Sequence, residues 1–511
     1  MKYAIAVIDI GMTNKKVAVY DDRLCQLDAK YRNFEPKIVE GLAAHDLEAM
    51  EAWFITEIKA FAAEYPITVI AVSTHGATFV CLGKDGRAAL PCVYYTYEPG
   101  DDLYDRFYRR FGNPVELQKQ TGTPAFRALI NPAKGIFFAQ ERFPEAFKNV
   151  TALLPFPQYW GFRFTGKLGA ESTYMGCHTY LWDPLAGAPS SVAGDLGVAE
   201  LLPGSLNNSW DVLGTITEDF AGKTGLSPGT IVTLGIHDSN SSLLPHFAKK
   251  GETGFVLNST GTWCVIMNPV KEYGFAPEEL GKVVFFNISA FGKPIKTAIF
   301  LGGQEFESWS ALIAARHGEI KFPGWNENLY RTILAEKRLF LLPEITAGSG
   351  QFPGSRARIV EDGREYFFED LQRALAEPGK AGGAQGALPP CFADPGIFFA
   401  VLRISLVMQT LTALERAGST GDREIYTEGG FRRDQAYNRL LSSALADNRV
   451  FITGISEATA LGAAVTAKMA FTGQCLEDLA GDFDVEYRAV EKDHIPELEA
   501  YRKAWLAEAE S

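Results

Sequence analysis

The sequence predicts an α/β protein of two similar domains in tandem. Short apolar, β-branched runs alternate with stretches of helical periodicity, as α/β folds require. A strand–turn–strand opening with a glycine and hydroxyls in its bend occurs at residues 3–20 and returns at 254–267. The length, 511 residues, suits roughly two to four domains.

Residues 3–8 are apolar and β-branched and read as a buried strand. Asp9-Ile10-Gly11-Met12-Thr13-Asn14 is the bend, residues 16–20 are the return strand, and Asp21-Asp22 closes it. Residues 47–65 place Met50, Trp53, Phe54, Ile58 and Phe61 on one helical face, and Pro66 stops that helix. Residues 67–72 form another buried strand, and the aromatic-rich stretch around Tyr159 to Phe164 reads as a core element. Residues 186–194 and 378–390 are loops by composition. In the second half, 254–258 and 263–267 are strands around Ser259-Thr260-Gly261-Thr262. An Ala-rich helix covers 460–471, and the last 20 residues read as a charged amphipathic helix. The boundary is expected near Lys249-Lys250-Gly251, giving domains 1–249 and 250–511.

The formal charge is −13, with 47% hydrophobic and 22% charged residues. Nucleic acid is therefore a poor partner, since its binding draws on clustered Lys and Arg. A small anion remains acceptable, because backbone amides can hold it at any net charge. No stretch is expected to reach the roughly 20 apolar residues of a membrane span, and no signal-peptide cleavage pattern follows the N-terminus. The seven Cys are scattered without a C-x-x-C pair. That fits a reducing cytoplasm and argues against disulfides or a cysteine zinc site. The His positions show no metal-ligand spacing.

Asp9 ends a buried strand, where a carboxylate is costly unless it is paired or holds a cation. Gly11 allows close backbone approach, Thr13 and Asn14 can donate to phosphate oxygens, and Lys15 and Lys16 add positive charge. A phosphate and Mg²⁺ site is one reading; a plain hairpin bend capped by Asp is the other. Ser259-Thr260-Gly261-Thr262 offers similar donors without charge, against the same alternative. Gly235-Ile236-His237-Asp238 follows an apolar strand, where α/β folds place their chemistry. Asp238 could take a proton from a substrate hydroxyl, or it could simply cap the next helix. His75, in Ser73-Thr74-His75-Gly76, could donate to a polyol hydroxyl or be a structural residue. Gly429-Gly430 could lie against a flat ring or form an ordinary turn. A G-x-x-x-x-G-K-[ST] loop is absent: the nearest run, from Gly161 to Lys167, is followed by Leu168. No G-x-G-x-x-G follows a strand, so a dinucleotide oxidoreductase has little support.

Taken in order, these segments resemble the FGGY family of carbohydrate kinases in the actin-like, ribonuclease H-like superfamily. The Asp9 bend resembles its first phosphate motif, Ser73-Thr74-His75-Gly76-Ala77 its sugar segment, and Phe164-Thr165-Gly166-Lys167, loosely, its L-T-G signature. Gly235 to Asp238 resembles the segment with the catalytic Asp, and Ser259 to Thr262 the second phosphate motif. Gly429-Gly430-Phe431 resembles the adenosine motif, and Glu457 to Ala464 the late helix start. The resemblance implies two ribonuclease H-like (actin-like ATPase) domains around an interdomain cleft. Sugar would sit mainly on the first and ATP-Mg²⁺ mainly on the second. It implies Asp238 as the base, Thr74 and His75 at the sugar, and Asp9 at the metal. Thr13, Asn14, Lys15, Thr260, Gly261 and Thr262 would line the phosphates, with Gly429, Gly430 and Asp434 toward the adenosine.

The sequence also departs from the family pattern. Tyr94-Tyr95-Thr96-Tyr97-Glu98-Pro99 stands where many ketose kinases have Trp-x-Asp-x-Arg, and Thr74-His75 replaces the Arg-Glu pair of glycerol kinases. His75 is more like the xylulose kinases, so D-xylulose is the expected substrate, with rhamnulose, fuculose and ribulose open. Asp434 in place of the expected polar residue alters the adenine contact. A non-catalytic actin-like ATP-binding protein is the alternative, and a homodimer stays open.

Overall fold

In a computed structural model, which describes residues 2–376, 388–455 and 457–511, the opening apolar run forms β1 (Ala4–Ile10). Every residue of β1 except Asp9 is buried, because the sheet is covered on both faces. β2 (Asn14–Asp21) pairs antiparallel with β1 and sets Lys16 opposite Asp9. β3 (Gln26–Asn33) continues the meander as an exposed edge. α1 (Leu47–Ala62) starts at Asp46, whose side chain accepts from the Ala49 amide, and buries the apolar stripe expected for it. β4 (Ile67–Thr74) lies parallel to β1, with Ser73 beside Asp9. The aromatic-rich stretch is helix α2 (Phe156–Thr165). β5 (Val212–Thr215), β6 (Ile231–Thr233) and β7 (Ile236–His237) finish the first sheet, in the order β5-β6-β4-β1-β2-β3, with β7 also on β4. α3 (Asp238–Lys250) follows at once and ends before Gly251.

The second half repeats this scheme. β8 (Phe255–Thr260), β9 (Cys264–Pro269), β10 (Val284–Ile288) and β11 (Pro294–Phe300) are antiparallel neighbours. After α4 (Gly302–His317) and α5 (Pro395–Arg416), β12 (Glu424–Gly429) adds parallel to β8. α6 (Gln435–Ala444), β13 (Arg449–Thr453), α7 (Ala458–Thr472), β14 (Tyr487–Ala489) and α8 (Glu497–Ala509) complete the chain. The sheet order is β10-β11-β9-β8-β12-β13-β14. In each half three antiparallel strands (β3-β2-β1; β11-β9-β8) continue into two parallel ones (β4-β6; β12-β13). The repeat of the opening bend therefore belongs to a duplicated domain, as the sequence predicts.

α3 and α7 pack against each other between the two sheets. Leu243 and Leu244 of α3, Ala463 and Val465 of α7, Ile5 of β1 and Leu257 of β8 share one apolar core. Each such fully buried Leu or Ile contributes about 1.5–3 kcal/mol. The helices cross closely because Gly462 has no side chain: a Cβ there would lie 1.9 Å from the Ser241 carbonyl oxygen.

α5 revises one expectation. It is long and apolar enough to cross a membrane. In the fold 94% of its apolar stretch is buried, and the helix is the central element of the second core. Of the low-complexity stretch 378–390, residues 378–387 lie outside the described residues.

Candidate active site

The first bend closes by a bond from the Gly11 amide to the Asn14 carbonyl (3.0 Å). Asp9 sits beneath it, and burial pushes its carboxyl up to about 7; Lys16 opposes that rise, while Asp238 and Glu457 add to it. Lys16 is paired with Glu457, which precedes α7 (3.1 Å). Lys15 does not project outward. Its buried ammonium donates to the Met12 carbonyl (2.6 Å) and the Thr13 carbonyl (3.3 Å), and burial lowers it to about 8. It adds positive charge under the bend, while Thr13 and Asn14 stand exposed on its rim.

The end of β4 is tied to this bend, because the His75 amide donates to the Ile10 carbonyl (2.9 Å). The His75 ring donates from Nδ1 to the Gly76 carbonyl (2.7 Å) and leaves Nε2 buried without a partner. Burial lowers its pKa to about 4, so the ring is neutral near pH 7. Sequence reasoning expects a donor here; the structure presents an acceptor instead. Tyr95, His45 and Phe156 surround the ring with centroids 5.2, 5.6 and 5.4 Å away.

β7 pairs with β4 so that Ile236 faces Ser73 and His237 faces Thr74. That register delivers Asp238 to the same edge as His75. Gly235 makes the approach possible: its φ is +85°, and a Cβ would meet the Val72 carbonyl oxygen at 2.9 Å. Asp238 is the first residue of α3, and its Oδ1 accepts from the Ser239 amide (2.6 Å) and hydroxyl (3.2 Å). Burial raises its pKa; His75 and the Ser239 bonds pull the other way. The side chain keeps 31% exposure, so the carboxylate is reachable from the strand ends.

The second bend is built from backbone and glycine. The Gly261 amide donates to the Trp263 carbonyl (2.9 Å). The Thr260 hydroxyl donates to the Glu428 carbonyl and accepts from the Phe431 amide (2.9 Å), so it clamps the bend to Gly429-Gly430. Gly429 has φ +76°, and a Cβ there would lie 1.9 Å from the Thr260 carbonyl oxygen. On the other side a Cβ at Gly303 would lie 1.9 Å from the Gly261 carbonyl oxygen. The start of α4 thus presses against the bend, and the Gln304 amide reaches the Thr262 carbonyl (3.3 Å). Gly261 and Thr262 are exposed at its tip. Asp434 is engaged elsewhere: it caps α6 through the Tyr437 amide (3.0 Å) and pairs with Arg403 (2.8 Å).

Sequence reasoning missed Gly302-Gly303, although the pair follows an apolar strand just as Gly429-Gly430 does. It also gave no place at the site to His45, to Tyr95 beside His75, or to Glu457 on Lys16. The absence of metal-ligand spacing does not survive folding: Cys177, His178 and His237 bring their donor atoms within 4.8 Å of one another.

The paired sheets, the bends at the ends of β1 and β8, and the acid at the head of α3 define a two-domain protein of the actin-like ATPase fold. The family model described as "FGGY family of carbohydrate kinases, N-terminal domain" matches residues 4–245, and that for "Carbohydrate kinase FGGY, C-terminal domain" matches 252–376. The chain belongs to the FGGY family of carbohydrate kinases. The L-fuculokinase of Salmonella typhi is 24% identical over 270 residues, 52% of this chain and 56% of that protein. The chain thus spans little more than half the length of that relative. A rhamnulokinase of Enterococcus faecalis is 23% identical over 410 residues, 77% of this chain and 73% of its own. The crystal structure of a carbohydrate kinase from Novosphingobium aromaticivorans superposes with a TM-score of 0.78 at 27% identity, covering 99% of this chain and 98% of that one.

Proposed function

We propose that the protein transfers the terminal phosphoryl group of ATP to a hydroxyl of a ketose. The observation that carries this reading is the β4–β7 register, which sets a reachable Asp238 carboxylate beside the unpartnered Nε2 of His75. In this reading the first domain, 1–249, holds the sugar and the second, 250–511, the nucleotide.

Bound ATP-Mg²⁺ supplies the phosphoryl group and the ADP leaving group. Its fit is supported by the second bend, where glycine at 303 and 429 leaves no side chain between backbone segments. The start of α4 adds the partial positive charge of a helix N-terminus there. Gly261, Thr262, Gly429 and Gly430 would hold the nucleotide, with Thr260 bracing them. Thr13, Asn14 and the Lys15 charge would face its phosphates from the first bend. Asp9 is a buried carboxylate whose ionised form a divalent cation would stabilise.

Asp238 takes the proton of the attacking hydroxyl as the oxygen begins its bond to phosphorus. The Ser239 donors keep one carboxylate oxygen in place, and burial raises the basicity above that of a free carboxylate. Neutral His75 accepts from a second sugar hydroxyl, while Thr74, expected at the sugar, is fully buried with its hydroxyl donating to the His75 carbonyl (2.9 Å) and braces that segment instead. Closure of the two domains would exclude water from this acceptor position.

D-xylulose is the sugar we assign, on the histidine at position 75. L-fuculose and L-rhamnulose are a second reading, favoured by the names of the matched relatives. An ADP-coupled assay over D-xylulose, L-fuculose, L-rhamnulose, L-ribulose and glycerol tests both levels. Sugar-dependent ADP release is expected with one ketose dominating. ATP turnover that no ketose stimulates would overturn the kinase reading, and a dominant deoxyketose would overturn only the xylulose assignment.

A further inference from the structure

Beside Asp238 lies a group of side chains that the kinase reading leaves unused. Cys177, His178 and His237 each bring a donor atom within 4.8 Å of those of the other two. The sulfur stands 3.7 Å from His237 Nε2. Around a tetrahedral zinc, with Zn–S near 2.3 Å and Zn–N near 2.0–2.1 Å, sulfur and nitrogen ligands sit about 3.6 Å apart.

Several separate features hold the three donors in place. Gly76 has no Cβ, and one there would meet His178 Nε2 and His237 Nε2 at 3.0 Å each, so both imidazoles point over the same glycine. His178 has a left-handed backbone (φ +39°), which costs a non-glycine residue free energy and persists only where surroundings enforce it. Its Nδ1 donates to the Ile130 carbonyl (3.2 Å), which leaves the lone pair on Nε2. Phe126 and Phe285 set their ring edges against the same imidazole, with centroids 5.7 and 6.0 Å away. The Asn240 Nδ2 lies 3.2 Å from His237 Nδ1, and its Oδ1 has no partner, so turning the amide by 180° sets the oxygen on the ring nitrogen. With that oxygen on Nδ1–H, the second imidazole also offers Nε2. Outer partners that fix the ring and its tautomer in this way accompany most metal-binding histidines.

From this arrangement we infer that Cys177, His178 and His237 form a binding site for a thiophilic divalent cation of the zinc class. A thiolate with two imidazoles suits zinc or cobalt and disfavours magnesium, whose preference is for oxygen. Binding displaces the Cys177 thiol proton to solvent. The three protein ligands leave a fourth position open on the side of Asp238, whose Oδ1 is 3.2 Å from His237 Nε2. In the kinase reading, on which only this role rests, an oxygen of the acceptor sugar takes that position and the ion selects which hydroxyl meets Asp238.

Titration of the untagged 511-residue chain with Co²⁺, without sugar or nucleotide, reads the site independently of kinase activity. One equivalent of Co²⁺ is expected to give tetrahedral d–d bands and a thiolate-to-cobalt charge-transfer band. Cys177→Ser should abolish the charge-transfer band, and His178→Gln should weaken binding at least tenfold. Wild-type chain showing no charge-transfer band, or Cys177→Ser keeping it, would overturn the site. X-ray absorption on the wild-type zinc complex needs no variant to fold: one sulfur near 2.3 Å with nitrogen or oxygen near 2.0–2.1 Å is expected, and a shell without sulfur would refute the assignment.

Discussion

The two bends occupy equivalent places, each at the end of the first strand of its sheet, yet they are built from opposite materials. The first is ionic: Asp9, Lys15 and Lys16 lie in or under it, and Glu457 reaches across to it. The second carries no charge and owes its shape to glycines pressed against carbonyls at 1.9 Å from where a Cβ would stand. Duplication supplied one backbone twice. The halves diverged in what fills the bend: charged side chains in one, glycine against backbone in the other.

The largest effect that would separate the halves is at Asp238. Asp238→Asn removes the base but keeps the shape, so kcat should drop by about 10²–10⁴, with KM for ATP nearly unchanged and an unaltered circular dichroism spectrum. A rate near wild type would remove Asp238 from the chemistry. Because burial raises the Asp238 pKa, the acid limb of kcat in the native enzyme should lie above the ordinary carboxylate value.

In the second half, Gly303→Ala forces a methyl against the Gly261 carbonyl. Overpacking of this kind costs about 1–3 kcal/mol. Calorimetry should show ATP binding about ten- to a hundredfold weaker while the KM for sugar holds. Equal losses for both ligands would mean that the halves do not divide the work as proposed.

The smallest effect is on stability, and the groups behind it lie in the first half. His45, His75, His178 and His237 all lie there, and burial lowers each of them, to about 4 for His75 and about 3 for His178 and His237. Folded, these rings stay neutral; unfolded, they take up protons below about pH 6.5. Through these rings the unfolded chain binds more protons, and that part of the stability is lost as pH falls from 6.5 toward the folded values. Asp9, raised to about 7 by burial, has the opposite sign and offsets part of the loss. His75→Gln should flatten the acid limb of Tm by that ring's share. An acid limb unchanged in that variant would end this contrast.

Much of this was legible in the sequence for a physical reason. Buried strands need continuous apolar runs, and the bends between them need glycine and small polar groups, so the strand–turn–strand repeat showed itself without structure. Asp238 was visible for the same reason, as an acid directly past a strand. Lys15 was placed correctly along the chain, but its direction was hidden, since β2 turns alternate side chains to opposite faces. Cys177 and His237 stand 60 residues apart, and their meeting depends on the β4–β7 register and on an absent Cβ at Gly76. No local pattern encodes that. The apolar length of α5 was overlooked; as a core helix buried on nearly every side it has the same apolar content as a membrane span.

The crossing of α3 and α7 has a reach far beyond its size. α3 begins with the acid, and α7 begins beside the residue that pairs with Lys16, so the two helices act as one axle joining both halves. A single methyl at Gly462 would wedge that axle against Ser241 and splay the sheets. Asp238 and Glu457 would shift with the helices they lead, although every group in the two bends would be intact.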